Sequence, residues 1–195
     1  AYRVAGSKPE GFRVTSYVIT DSVYDREAIS DGHFDVITDA ILFGSLVYDQ
    51  NGNLSFQDKK IDGQQIDGRQ VFETALQNVR EAVSGIEDWN KSMYAKADLH
   101  KAAMSGVNGK NLIQSITQLL DQYDLDGVFF DWEYPLRKKD WKVFDQFLLS
   151  LDEALGEKRL GIAVQSWAFK ASRETIEKLD LVEVMTYDMF DEDGY

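Results

Sequence analysis

The sequence predicts a single folded domain of the α/β class with a parallel sheet, and three observations support this prediction. From residue 111 onward, helix-like and strand-like segments alternate in the order helix, strand, helix, strand, helix, strand. Such alternation is typical of parallel strands joined by helical crossovers. The apolar fraction of 44% and the aromatic fraction of 12% fit a folded globular chain. No proline- or serine-rich linker divides the sequence, so we expect residues 1–195 to form a single domain.

The individual elements follow from apolar residues that recur every second residue in strands and every third or fourth residue in helices. Strands are predicted at residues 13–19, 35–48, 126–134, 160–164 and 181–187. Helices are predicted at residues 65–83, 111–123, 141–155 and 174–179. The pair Asn51-Gly52 is a strong signal for a hairpin after the second strand. Between residues 84 and 105 the best strand candidate is 92–95, so a third strand is predicted to be weak or missing.

Charge and composition exclude several classes of function. The net charge of −13 disfavours nucleic acid and anionic membrane as partners, whereas a neutral glycan carries no such penalty. The absence of cysteine and the presence of only two histidines leave little basis for thiolate chemistry, a His-based metal site or a Ser-His-Asp triad. We therefore predict no cofactor and no metal. The chain begins at Ala1 without the apolar core of a signal peptide, which indicates a processed or trimmed start.

The most informative segment is Asp-Gly-Val-Phe-Phe-Asp-Trp-Glu-Tyr-Pro at residues 126–135. Alternate side chains of a strand share a face, so Phe129, Asp131 and Glu133 are expected on one face and the residues between them on the other. Two neighbouring carboxylates at the end of a buried strand are costly unless they are paired or functional. From these residues alone, both a structural salt bridge and a catalytic pair remain open.

This segment resembles the catalytic strand of glycoside hydrolase family 18, the chitinases and their relatives, whose pattern is Asp-Gly-x-Asp-x-Asp-x-Glu. Residues 184–188, Val-Met-Thr-Tyr-Asp, are similar to the Met-x-Tyr-Asp of that family's sixth strand. The resemblance implies a (β/α)8 TIM barrel with its site at the C-terminal ends of the strands. The chain differs from the family because Phe129 replaces the first Asp of the Asp-x-Asp-x-Glu motif and the third-strand Ser-x-Gly-Gly is not recognisable. Since it also stops after about six strands, we expect a barrel truncated at the C-terminus or completed by association.

The activity implied by the resemblance is retaining hydrolysis of β-1,4-linked N-acetylglucosamine polymers such as chitin or chitooligosaccharides. Family 18 is itself a recognised exception to the two-carboxylate scheme, because the N-acetyl group of its substrate acts as the nucleophile. In this scheme Glu133 is the general acid/base, and Asp131 helps keep it protonated and orients the acetamido group. Tyr187 would donate a hydrogen bond to the acetamido carbonyl oxygen. The expected substrate contacts are Asp188, Met185, Trp167 and Tyr17.

Several alternatives remain at this stage. Phe129 removes one carboxylate from the motif, so we expect slowed rather than abolished chemistry. The chain could instead be a catalytically impaired, chitinase-like carbohydrate-binding protein, or a structural protein on the same fold. A hydrolase of peptidoglycan or N-glycan linkages would carry the same residues. Among the four tryptophans Trp167 is the best candidate to stack on a sugar, Trp132 is expected to face the helices, and the protein is expected to be secreted or on the cell surface.

Overall fold

The computed structural model describes residues 13–29, 37–82, 88–94 and 97–186. The strands within these ranges are β1 (Thr15–Ile19), β2 (Asp39–Phe43), β3 (Leu46–Tyr48), β4 (Leu54–Phe56), β5 (Lys59–Ile61), β6 (Gln64–Ile66), β7 (Asp88–Tyr94), β8 (Gly127–Asp131), β9 (Arg159–Gln165) and β10 (Leu181–Met185). The helices are α1 (Gly68–Ala82), α2 (Ala97–Ala103), α3 (Gly106–Gln122), α4 (Lys138–Leu155) and α5 (Arg173–Lys178). No helix in the described part of the chain is both long and apolar enough to cross a membrane.

Six strands form one parallel sheet in the order β1-β2-β7-β8-β9-β10, which confirms the predicted class. Each strand lies beside the next one of the sheet along the chain, and α3, α4 and α5 precede β8, β9 and β10 in turn. This is the arrangement of consecutive β/α units in a barrel. The two edges of the described sheet are β1 and β10.

Two antiparallel hairpins separate β2 from α1. The first joins β3 to β4 around Asn51 and confirms the predicted turn, in which Asp49 Oδ1 accepts from the Asn51 and Asn53 backbone N–H groups at 2.8 and 2.9 Å. The second hairpin, β5–β6, was not predicted, and the expected start of a helix at residue 65 is wrong. Asp62 and Gly63, between these strands, both have positive φ, as a tight hairpin turn requires.

The prediction of a weak or missing third strand is also wrong. Strand β7 runs over seven residues and pairs in parallel with β2 on one side and β8 on the other. Its sequence, Asp-Trp-Asn-Lys-Ser-Met-Tyr, contains no β-branched residue, which is why propensity gave no signal. Backbone pairing on both sides decides the conformation of a central strand, and this tertiary effect overrides the weak local preference.

The sheet is strongly curved. A buried cluster on its inner face joins Ile41 of β2, Phe129 of β8, Ala163 of β9 and Met185 of β10. Tyr17 of β1 packs edge-on against Phe129 with ring centroids 5.8 Å apart, although β1 and β8 are three places apart in the sheet. In a flat sheet those strands would be roughly 14 Å apart. The inner face is therefore concave, as in a barrel wall.

The outer face of the sheet packs against the helices. Val128 and Phe130, which alternate with Phe129 along β8, belong to the large outer core. The Phe130 ring lies edge-on to Phe144 and Phe147 of α4, with centroid distances of 6.1 and 5.5 Å. The predicted division of β8 into an inner and an outer face is confirmed for these residues.

A buried ionic group closes the N-terminal end of the strands. Asp39, the first residue of β2, is 0% exposed. Its carboxylate accepts from Arg13 Nε at 2.9 Å and from Arg159 Nη1, on the first residue of β9, at 3.1 Å. The charge of Asp39 is therefore compensated by its arginine partners, and we assign this group a structural role.

Candidate active site

The carboxyl end of β8 carries the first of the two predicted acidic residues. All five residues of β8 are buried, and Asp131 is the last of them with an exposure of 7%. Because the strands are parallel, residues at their C-terminal ends lie around one opening of the barrel wall. Asp131 therefore lies at the inner rim, at the opposite end from the paired Asp39.

The environment of Asp131 disfavours its charged form. Its Oδ1 atom is buried without a hydrogen-bond partner, and no lysine or arginine in the described ranges forms an ion pair with it. Burial raises the pKa of Asp131 to about 6, and the nearby carboxylates of Glu133 and Glu183 contribute in the same direction. This environment makes Asp131 a candidate functional carboxyl group, and the described residues give no support to a structural salt bridge at this position.

Glu133 lies beyond the strand rather than on it. The prediction that the strand continues to residue 134 is wrong, because β8 ends at Asp131 and Glu133 sits on the following loop, partly exposed. The Glu133–Tyr134 peptide bond is cis. Glu133 still lies close enough to Asp131 to raise its pKa, so the two predicted carboxylates are brought together. The expected effect of Asp131 on the protonation of Glu133 stays a prediction.

Phe129 fills the barrel interior one step below Asp131 on the same face. Its ring is 0% exposed, and the backbone register places it opposite Gly161 of β9. A Cβ atom at Gly161 would lie only 2.5 Å from Phe129 Cδ2, so glycine is what allows the ring to lie across β9. An apolar ring here keeps water from approaching Asp131 from below and is one source of its desolvation.

Aromatic and amide side chains line the rim beside the carboxylates. Gln165 Nε2 donates to the Tyr134 hydroxyl at 3.4 Å, and the Tyr134 ring lies edge-on to Trp167 with centroids 5.5 Å apart. The hydrogen bond from Gln165 lowers the pKa of Tyr134, but burial and the nearby Glu133 carboxylate outweigh it and the net pKa is raised. Trp167 is 63% exposed in the turn after β9. An exposed indole at this position suits the apolar face of a sugar ring.

The other predicted site residues fall into two groups. Met185, the last residue of β10, is buried in the inner cluster, and Tyr17 packs against that cluster, so both belong to the barrel wall rather than to the open surface of the rim. Tyr187 and Asp188 lie outside the described residues.

Two other tryptophans are core residues rather than sugar platforms. Trp132 is 1% exposed and stacks on His100 of α2 with ring centroids 4.8 Å apart, which confirms that it faces the helices. Trp141 is 2% exposed, and its indole N–H donates to the Ala168 carbonyl oxygen at 2.7 Å.

Sequence reasoning missed one acidic residue of the site. Glu183 lies on β10 between Leu181 and Met185, and its Oε2 atom is buried without a hydrogen-bond partner. The signal was available, since a residue two positions before Met185 shares its face of the strand. Within the described ranges, no three acidic or histidine side chains are arranged to hold a metal ion, these carboxylates included.

Comparisons with known proteins identify the family and the fold of this chain. The model of the glycosyl hydrolases family 18 matches residues 13–194. A secreted chitinase of Penicillium expansum is 28% identical over 116 residues, which cover 52% of this chain and 8% of that protein. The group IV chitinase of Ostrinia furnacalis, solved in complex with allosamidin, matches with a TM-score of 0.72 at 21% identity and covers 90% of this chain and 50% of that chain. A chitinase-like agglutinin of Robinia pseudoacacia matches with a TM-score of 0.73 at 22% identity, and the match covers 92% of this chain and 56% of that chain.

The chain thus spans about half the length of the solved structures that it matches. At these identities the likeness shows the fold, a (β/α)8 barrel of which the described residues supply six parallel strands. The family model extends over nearly all of the chain and includes both acidic residues at the rim of β8. This chain belongs to family 18 of the glycosyl hydrolases.

Proposed function

We propose that this chain supplies the catalytic carboxylates of a chitinase-type glycosidase. The reaction is retaining, substrate-assisted hydrolysis of β-1,4-linked N-acetylglucosamine polymers such as chitin or chitooligosaccharides. One observation carries the proposal: Asp131 is buried at the barrel rim, without an ion-pair partner among the described residues, and its pKa is raised partly by Glu133. A buried carboxyl group without a partner destabilises the folded state, and carboxyl groups perturbed in this way are found preferentially at functional sites.

Glu133 acts as the general acid and then as the general base. Its side chain is partly exposed on the loop after β8, where a bound glycan can approach it. It protonates the glycosidic oxygen while the carbonyl oxygen of the substrate's own acetamido group attacks the anomeric carbon and forms an oxazolinium ion. Glu133 then removes a proton from the water molecule that opens this ion, and the two displacements together retain the configuration.

Asp131 stabilises the positive charge that develops on the acetamido group. An ionised carboxylate in a water-poor site interacts strongly with such a charge. By resemblance to the family motif, Tyr187 donates a hydrogen bond to the acetamido carbonyl oxygen and Asp188 lines the same subsite. Since the useful form of Asp131 is the carboxylate, activity requires a pH above its raised pKa.

The substrate is bound along the rim of the barrel wall. Trp167, with its 63% exposed side chain beside Tyr134, stacks on one sugar ring. Met185 and Tyr17 contribute to the inner wall of the barrel beside Phe129. A neutral glycan is compatible with the net charge of −13, and a secreted or cell-surface location would bring the protein to its polymer.

The decisive variant is Glu133→Gln. It removes the transferable proton with little change in shape, so turnover of chitotetraose should fall at least about 100-fold while binding of the oligosaccharide is retained. The matched control is Glu157→Gln, the same substitution at an exposed turn after α4, which should leave turnover unchanged. Equal turnover by the Glu133 variant and the unmodified protein would refute the proposal.

A carbohydrate-binding protein with impaired catalysis is the second candidate. It is favoured by Phe129, which occupies the inner site with an apolar ring, and by the matching fold of a chitinase-like agglutinin. Binding of chitotetraose without any product from the unmodified protein would select this alternative. Faster release of product from peptidoglycan or N-glycan cores than from chitooligosaccharides would instead identify one of these glycans as the substrate.

A further inference from the structure

A groove lined by lysines lies on the outside of the barrel rim. It has a volume of about 670 Å³ and lies between the N-terminal half of α4 and residues 170–172, which follow β9. Lys138, Lys139 and Lys142 line it from the helix, and Lys170 lines it from the opposite side. Asp145 is the acidic residue among those that line it, so the groove carries a net positive charge in a chain whose net charge is −13.

The three lysines of α4 do not stabilise the helix. Among the described residues, none of the three forms an ion pair with an acidic side chain. Lys138 and Lys139 also lie in the first turn of α4, where the positive end of the helix dipole favours acidic side chains and disfavours basic ones. Asp145 supplies only one negative charge, and its carboxylate accepts from the Ser172 backbone N–H at 3.1 and 3.2 Å. A bound anion would supply the negative charge that the groove lacks.

The groove continues from the part of the rim that is proposed to bind sugar. Two contacts join the loop after β8 to the loop after β9. The Tyr134 ring lies edge-on to Trp167 with centroids 5.5 Å apart, and Lys170 Nζ donates to the Leu136 carbonyl oxygen at 2.8 Å. Lys138 is four residues beyond Tyr134, so their Cα atoms are at most roughly 14 Å apart. A polymer that leaves the site over Trp167 can therefore reach the groove.

The lysines suit negative charge spread along a flexible polymer. An ammonium group is a point charge on a flexible stem, and no arginine is among the described residues that line the groove to hold an anion through two parallel hydrogen bonds. Charges on other parts of the protein are screened beyond about 8 Å at physiological ionic strength, so the four ammonium groups dominate the field within the groove.

We propose that this groove binds negatively charged substituents of the glycan, so that the protein prefers an N-acetylglucosamine polymer that carries carboxylate or phosphate groups over a neutral one. The lysines contribute to binding and take no part in the chemical step. This inference rests on the proposed function, because the path of the glycan over Trp167 comes from there.

Two soluble polymers with the same backbone test the preference: carboxymethyl chitin is anionic and glycol chitin is neutral. Binding is measured with the Glu133→Gln variant, which should leave both polymers intact. At about 20 mM salt the dissociation constant should be about fivefold lower for carboxymethyl chitin, and the ratio should fall below about twofold at about 500 mM salt. The net charge of −13 acting alone would instead weaken binding of the anionic polymer, so equal or weaker binding at low salt would overturn the proposal.

Two double variants in this background locate the preference. Lys138→Gln/Lys142→Gln should reduce the ratio to below about twofold, and the thermal midpoint should not fall because these lysines do not stabilise α4. The matched control, Lys158→Gln/Lys178→Gln, removes the same charge near the starts of β9 and β10, at the opposite end of the barrel wall, and should keep the fivefold ratio. Equal ratios for the two double variants would overturn the proposal.

Other polyanions identify the ligand. Chitin phosphate of the same charge density distinguishes the two substituents, since the polymer that binds more tightly carries the preferred one. Tighter binding of poly-L-glutamate than of either charged chitin would assign the groove to an acidic polypeptide and overturn the proposal. Product release from glycol chitin by the unmodified protein tests the proposed function separately. Its absence would refute hydrolysis, and the binding ratios would still decide the role of the groove.

Discussion

The substitution Asp131→Asn should make the protein more stable at neutral pH. The pKa of Asp131 is raised from 3.8 to about 6 by burial, by Glu133 and by Glu183. One pKa unit corresponds to about 1.4 kcal/mol, so ionisation of Asp131 lowers the free energy of unfolding at neutral pH by about 3 kcal/mol. Asparagine has the same shape and no charge, and it should recover up to this amount while hydrolysis falls.

The sign of the pH dependence follows from which state holds the proton. Between pH 3.8 and about 6 the folded protein keeps a proton on Asp131 that the unfolded chain has lost. The contribution of Asp131 to stability is therefore fully present below pH 3.8 and is lost as the pH rises through about 6. The unmodified protein and the variant should have similar stabilities at pH 3.5, should diverge as the pH rises from 3.8 to about 6, and should differ by a constant amount at higher pH.

Urea unfolding at pH 3.5 and pH 7.5 measures this difference. The control is Asp121→Asn, whose side chain is 72% exposed and whose substitution should change the unfolding free energy by less than about 0.5 kcal/mol. If the Asp131→Asn variant is less stable than the unmodified protein at pH 7.5, or equally stable, then ionisation of Asp131 does not lower the unfolding free energy as argued here.

Three further predictions concern the ring below the site, the start of α4 and the rim. Gly161→Ala would set a Cβ atom 2.5 Å from Phe129 Cδ2, so the unfolding free energy should fall by about 1–3 kcal/mol. Adding Phe129→Leu should restore part of this loss, because the two residues are in contact. If the losses of the two single variants simply add up in urea unfolding, this contact does not limit residue 161. Burial raises the pKa of Asp140, but hydrogen bonds from Arg137 and a neighbouring lysine outweigh it and lower the pKa to about 2. Asp140→Asn should therefore lower the unfolding free energy by about 2 kcal/mol at pH 7. The stabilisation that native Asp140 provides is complete above pH 3.8 and is lost as the pH falls through about 2. Equal urea midpoints of the two proteins at pH 7 would contradict this prediction. Trp167→Ala should raise the KM for chitotetraose about fivefold to tenfold without changing the thermal midpoint, and an unchanged KM would remove Trp167 from the binding surface.

The sequence predicted those parts of the fold whose local signals agree with their tertiary environment. The buried strand of Val128 and Phe130 and the helix α4 have strong apolar periodicity, and both were found within a few residues of their predicted bounds. Strand β7 could not be predicted in this way, because its backbone is held from both sides while its sequence is polar.

The candidate site shows the same division. The spacing of Asp131 and Glu133 was enough to place them together, although Glu133 reaches its position from a loop rather than from the strand. Glu183 could be assigned to an inner face by alternation along β10, but its level relative to Asp131 depends on two strand registers that no local pattern encodes. The contact between Phe129 and Tyr17 likewise depends on the curvature of the sheet.

In the proposed reaction Glu133 drives hydrolysis with assistance from the substrate's acetamido group. The most direct measurement is a time course of chitotetraose hydrolysis followed by ¹H NMR of the anomeric protons, with the unmodified protein and with Glu133→Gln. We expect the β-anomer to appear first with the unmodified protein and the variant to release almost no product. Initial release of the α-anomer, or equal product from both proteins, would contradict it.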